Sequence, residues 1–202
     1  MGLEDDNFNA LLGYTKALSV SLKYRDYLTH QHSERVKGLS LEIGAHCGLS
    51  QNKINALSIA ATFHDIGKIG IPDHILLKPT KFNEAEWEIM QQHSAIGEKI
   101  ILSTELEGSD HAALIIRHHH EYYNGMGYPD NLSGENIPLC SRIIAIADSY
   151  DAMSVARVYH HPRAHREIMT ILHQETGDKF DPELMHVFCE IIEFSKFRTT
   201  KI

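Results

Sequence analysis

HDIGKIGIPD, residues 64–73, sets an imidazole beside a carboxylate, with an amine, Lys68, one helical turn further on. An apolar run leads into it: Ile54, Leu57, Ile59, Ala60, Ala61 and Phe63. Positions 57, 60, 61 and 64 share one face of a helix, so the face that takes Leu57 and Ala61 into a core takes His64 with it. This predicts a helix capped by Ser50 and running to about Gly67. A buried His–Asp pair must be paired or metal-bound, because an unpaired buried charge is costly or shifts its pKa. Asp65, with two oxygens, is the residue able to bridge two ions.

Outward from that stretch the pattern stays helical. Residues 7–28 carry a stripe of Phe8, Leu11, Leu12, Leu18 and Leu22, read as a packing helix or the end of a linker. The chain divides on this reading into an N-terminal helix or linker, 1–24, and one domain, 25–202. His32, Val36, Leu39 and Ile43 share a face of a second helix over 30–47, from which His30 and His46 point away. Asn83 followed by Glu86 opens a helix with Trp87 and Met90, and a helical segment with His93, Ile96 and Ile100 comes next. Asp110 opens another, which ends in His118, His119 and His120. EYYNGMGYPDNLSGENIP, 121–138, is a long loop broken by glycine and proline. CSRIIAIADSYDAMSV, 140–155, fits a buried strand or a helix; helix is chosen because the rest is helical. Pro162 and Arg163 open a further helix, and Asp181-Pro182 the last. The sum is an all-α fold of about seven to nine helices with no sheet.

At 202 residues the chain is long enough to bury a substantial core in one domain. No apolar run approaches a membrane span, and the acidic start MGLEDDNFNA has no apolar core of a signal peptide. Cys47, Cys140 and Cys189 form no CxxC pair, which argues for a reducing compartment and against a thiolate zinc site. A cytoplasmic location is expected. The formal net charge of −8 disfavours binding to a nucleic acid polymer or an anionic membrane. An anionic substrate would need local positive charge, which bound metal ions supply. The 15 histidines, spread along the chain, direct the search to such ions.

The candidates on apolar faces or helix ends are His32, His64, Asp65, His93, His119, His120 and Asp148. Imidazole with carboxylate and no thiolate suits iron, manganese or zinc better than magnesium. They are more ligands than one ion needs, and two ions sharing Asp65 use them all. A water bridging two such ions becomes hydroxide near neutral pH, the arrangement for in-line displacement at phosphorus. Lys68 would steady a phosphate oxygen or protonate the departing alkoxide.

HDIGKIGIPDHILLKP at 64–79 and HHEYYNGMGYP at 119–129 together resemble the HD-GYP family of bacterial cyclic-dinucleotide phosphodiesterases. The likeness runs from HSERV at 32–36 to FDPEL at 180–184. It implies a single HD-type helical domain with a long GYP loop and two divalent ions, iron or manganese foremost, zinc or nickel also compatible. It implies hydrolysis of cyclic di-GMP to linear pGpG or GMP, with 3′,3′-cyclic GMP-AMP as the other candidate ring. By position His32, His64, Asp65 and Asp148 look like ligands of one ion, and Asp65, His93, His119 and His120 of the other. Lys68 matches a lysine near the phosphate. Tyr128 and Arg157 look like contacts to the nucleotide, consistent with stacking and forked hydrogen bonding. His160 stands where a lysine or arginine often assists the substrate, and Val158 replaces a common proline. Leu28 replaces the glutamate that holds a third ion in some members, so two ions are expected. Asn124 replaces the usual aspartate of HHExxDGxGYP. The competing readings are a catalytically weak cyclic-dinucleotide receptor and a di-iron oxygenase; a homodimer or a regulatory-domain partner is left open.

Overall fold

Residues 27–155 and 162–200, with Gly13 and Val20, are described in a computed structural model. The stripe over 7–28 thus lies almost entirely outside the described residues, as do Arg157 and His160 and the side chain of Leu28. In chain order the α-helices are α1, Tyr27–His46; α2, Gln51–Phe63; α3, Asp73–Leu76; α4, Glu84–Leu102; α5, Ser109–Arg117; α6, Leu139–Ser154; α7, His165–Gln174; and α8, Pro182–Ile192. Single 3-10 turns lie at Ile66–Gly70 and Gly134–Asn136. Among the described residues there is no strand, only an isolated bridge between Thr176 and Phe180. The all-α expectation holds.

The core forms where the predicted stripes meet. Val36, Leu39 and Ile43 of α1 pack with Leu57, Ala60 and Ala61 of α2 and Ile143, Ile144 and Ala147 of α6, all buried. Helix α6 is apolar on nearly every side because other helices surround it, and that is why its sequence also fits a buried strand. Its length, 16 residues, belongs to a helix. Predicted starts are recovered at α4, where Asn83 and Glu86 form a capping box. They are recovered too at α8, where Asp181 Oδ1 accepts from Glu183 N and Leu184 N. His93 and Ile100 lie on the one continuous helix α4. Two expectations need correction at α2. Ser50 sits at the cap position but makes no capping hydrogen bond, and the helix stops at Phe63 rather than near Gly67.

The stop has a steric cause. Beyond His64 the chain tightens into the Ile66–Gly70 turn and presses backbone to backbone on α4. A Cβ at Gly67 would stand 1.8 Å from the carbonyl oxygen of His93 and 2.6 Å from Gly97 N. Only a residue without a side chain allows that approach. The HD pair is thereby fixed against the helix that bears His93. Gly67→Ala is expected to destabilise the metal-free protein by about 3 kcal/mol or more, since the clash is with backbone. Calorimetry should show a Tm lower by roughly 6–12 °C; an unchanged Tm would mean that the turn sits off α4.

Candidate metal centre

The seven predicted side chains come from five places in the chain and meet at one point. His32 rises from α1, His64 and Asp65 follow α2, His93 lies on α4, His119 and His120 follow α5, and Asp148 lies on α6. The rings of His64 and His119 are 5.3 Å apart, those of His93 and His120 5.0 Å, and those of His32 and His64 5.3 Å. Donor atoms gather in two groups able to hold an ion: His32, His64 and Asp148, and separately His93, His119 and His120. Asp65 lies between them. Its Oδ2 is 3.6 Å from His64 Nε2 and its Oδ1 is 3.6 Å from His93 Nε2, one oxygen towards each group.

The hydrogen bonds of the ring nitrogens say what the site can hold. Nδ1–H of His64 donates to Ala61 O at 2.9 Å, that of His93 to Met90 O at 2.8 Å, and that of His119 to Ile116 O at 2.6 Å. A backbone carbonyl only accepts, so in the neutral ring each Nε2 carries a lone pair. These three Nε2 atoms are buried and have no hydrogen-bond partner. Two of them face carboxylate oxygens at a distance too long for a hydrogen bond, acceptor against acceptor. A shared cation resolves that conflict, since 3.6 Å is the gap between two donors that each stand about 2.1 Å from one ion. The residues therefore fit divalent metal.

Burial, together with His64 and His93, pushes His119 down to about pKa 3, and burial also lowers His93 and His120. Burial opposes the charge on Asp65, but Lys68 Nζ, 2.6 Å from its Oδ2, together with His64, His93 and His32, outweighs it and holds the carboxyl well below its usual range. His32 is different. Both its nitrogens meet carboxylates, Nε2 on Asp148 Oδ1 at 2.9 Å and Nδ1 on Asp151 Oδ2 at 2.7 Å. Burial alone would lower its pKa, but the two carboxylates raise it to about 9. Without metal His32 therefore carries a proton at pH 7 that an ion must displace. Loading of the His32 group is expected to weaken by about tenfold per pH unit below 9, while His119 needs no deprotonation. Titration calorimetry in buffers of different ionisation enthalpy should register about one proton released at pH 7; no release would place the proton elsewhere.

Sequence reading missed the supports of the site. Asp151 holds His32 and is itself forked by Arg35, Nε to Oδ1 at 2.6 Å and Nη2 to Oδ2 at 2.9 Å. The signal was present as two i, i+3 pairs, 32 with 35 and 148 with 151, which bring each partner onto its ligand's helix face. The long loop is stapled by Glu121, whose oxygens accept from Asp130 N and Leu132 N at 2.7 and 3.1 Å. Gly127 folds so close that a Cβ would be 2.2 Å from Tyr122 N. The Tyr128 ring is thereby laid 4.9 Å from His120, with Trp87 edge-on beyond it at 5.9 Å. Asn124 has a use that aspartate lacks: its amide donates to Asp178 Oδ1 at 3.4 Å, where a second carboxylate would repel.

Comparison with known proteins bears on the family and the fold. A family profile described as the HD domain matches residues 16–184. A Thermotoga maritima protein named cyclic di-GMP phosphodiesterase is 40% identical over 174 residues, which span 86% of this chain and 47% of that protein. A Vibrio cholerae protein named 3′3′-cGAMP-specific phosphodiesterase 2 is 36% identical over 200 residues, 94% of this chain and 38% of the relative. This chain thus spans less than half the length of either. Among solved structures, Bd1817 of Bdellovibrio bacteriovorus, described as an HDGYP protein, has a TM-score of 0.65 at 18% identity, over 92% of this chain and 60% of that one. The PgpH HD domain of L. monocytogenes in complex with cyclic-di-AMP has a TM-score of 0.61 at 18% identity, over 86% and 92%. At such identities the structural likeness speaks for the fold. No helix among the described residues is long and apolar enough to cross a membrane.

Proposed function

The chain belongs to the HD domain family, and from that premise we propose that it is a metal-dependent phosphodiesterase opening a cyclic dinucleotide, cyclic di-GMP or 3′,3′-cyclic GMP-AMP. The observation that carries the reading is the set of buried, partnerless Nε2 atoms on His64, His93 and His119 around a carboxylate with one oxygen for each group. The names of the relatives support the substrate class.

His32, His64, Asp65 and Asp148 would hold one ion, and Asp65, His93, His119 and His120 the second; this donor set favours iron or manganese. Bound there, the pair supplies Lewis acidity at phosphorus and an activated water at neutral pH. The chain's own groups do the rest. Asp151 and Arg35 fix the His32 ring, which orients a ligand as outer partners do in metal sites generally. Lys68, at 25% side-chain exposure, stands on Asp65 at the edge of the site. From there its ammonium can bond a non-bridging phosphate oxygen or give a proton to the departing 3′-oxygen. Tyr128 offers a ring face beside His120 for a base. Arg157 and His160 remain proposed substrate contacts on resemblance alone.

The test is chromatography of products from anaerobically purified, metal-loaded protein given each ring. Linear dinucleotide, or mononucleotide, is expected. Tight binding without cleavage would make the protein a receptor, and substrate-coupled oxygen uptake would make it an oxygenase.

A further inference from the structure

Beside the metal-binding groups lies a cavity of about 180 Å³, with His119, His120 and Asp148 in its wall. That is below the roughly 300–1,000 Å³ of sites that swallow a drug-sized ligand whole, so it takes only part of a larger one. Trp87, Tyr122, Tyr128 and Lys179 line the same cavity. Among the described residues that line it, Lys179 is the one lysine or arginine.

Lys179 is held in place from both sides. Its carbonyl accepts from Tyr123 N at 3.2 Å, and the neighbouring Asp178 carbonyl accepts from Asn124 N at 2.8 Å, which ties the turn before α8 to the GYP loop. Its ammonium lies 5.6 Å from the centre of the Tyr122 ring and 5.0 Å from that of Phe180. The carboxylate in reach, Glu175 Oε2 at 3.7 Å, belongs to a part-exposed i, i+4 pair, the kind that contributes little. So an ammonium with only a weak ionic partner is braced at a cavity that His119, His120 and Asp148 of the candidate metal cluster also line, on a chain of net charge −8.

A cyclic dinucleotide carries two phosphodiesters, and only one can stand at the metal pair at a time. The other needs a cation. We propose that Lys179 receives this second, uncut phosphate and so selects a ring with two phosphates over a simple phosphodiester. The proposal rests on the phosphodiesterase reading above. After the first cut the same contact would hold the linear product by its remaining internal linkage.

The experiment compares wild type, Lys179→Met and Lys179→Arg, each metal-loaded and checked for metal content, on cyclic di-GMP, 3′,3′-cyclic GMP-AMP and bis(p-nitrophenyl) phosphate, which has a single phosphodiester. Lys179→Met keeps the backbone bonds of the turn. The ratio of kcat/KM for the preferred ring to kcat/KM for the one-phosphate probe is expected to fall about tenfold or more, through KM, the size of a lost charge-assisted hydrogen bond. Lys179→Arg should recover most of it. Equal losses on ring and probe would mean that Lys179 only supports the turn, and no loss on either would remove it from the site. If wild type cleaves the probe but neither ring, the substrate class proposed above fails and this contact with it. If wild type cleaves a ring and Lys179→Met does so equally well, only the Lys179 assignment falls.

Discussion

Asp65→Ala is expected to lose metal and activity together. The side chain is buried, and each of its oxygens faces the free Nε2 of a different histidine. No neighbouring carboxylate among the described residues occupies that midpoint, since Asp148 lies with the His32 group alone. Removing the carboxylate also leaves Lys68 without its partner at 2.6 Å beside buried imidazoles. Metal content by elemental analysis should fall from two ions per chain, and turnover by at least about 10³-fold, the scale on which loss of a metal's charge stabilisation is felt. The fold should survive because the apolar core does not pass through Asp65. Circular dichroism would check this. Retention of two ions with Asp65 absent would overturn the bridging arrangement.

Lys68→Ala is the complementary experiment, since it separates holding metal from using it. Lys68 touches no free imidazole nitrogen; its partner is Asp65. If it acts on the phosphate or the departing oxygen, the variant should keep both ions and lose about 10²-fold or more in kcat, the range for a lost general acid or electrostatic donor. KM should change less. If metal content falls as it does in Asp65→Ala, the lysine serves to hold Asp65, and a full rate would remove it from the chemistry. The electrostatics make the distinction sharp, because Lys68 is the strongest influence that keeps the buried Asp65 ionised without metal.

The candidate ligands were legible because each sits on a periodic stripe or at a helix end. His32 shares the face of Val36, Leu39 and Ile43, and all four are buried. His64 extends the Leu57–Ala61 face even though the helix ends one residue earlier. The Asp148 helix could be read only by analogy with its neighbours, for its central run, Ile143 to Ala147, is buried throughout and has no polar face to reveal its period. Lys179 was invisible. It lies in an irregular turn, far along the chain from the histidines, and nothing in its local sequence says which loop it will meet.

By itself the sequence determined the helical class, the order of the elements and the side chains that point inward, because hydrophobic spacing along a helix is a local property that each segment carries alone. Only the tertiary structure decided that Asp65 stands between two groups of nitrogens, that Nε2 of His64, His93 and His119 rather than Nδ1 is left free, and that Lys179 lines the same cavity as His119, His120 and Asp148. Those are relations between segments distant in sequence, set by how helices pack and by a backbone approach at Gly67 that no spacing rule records.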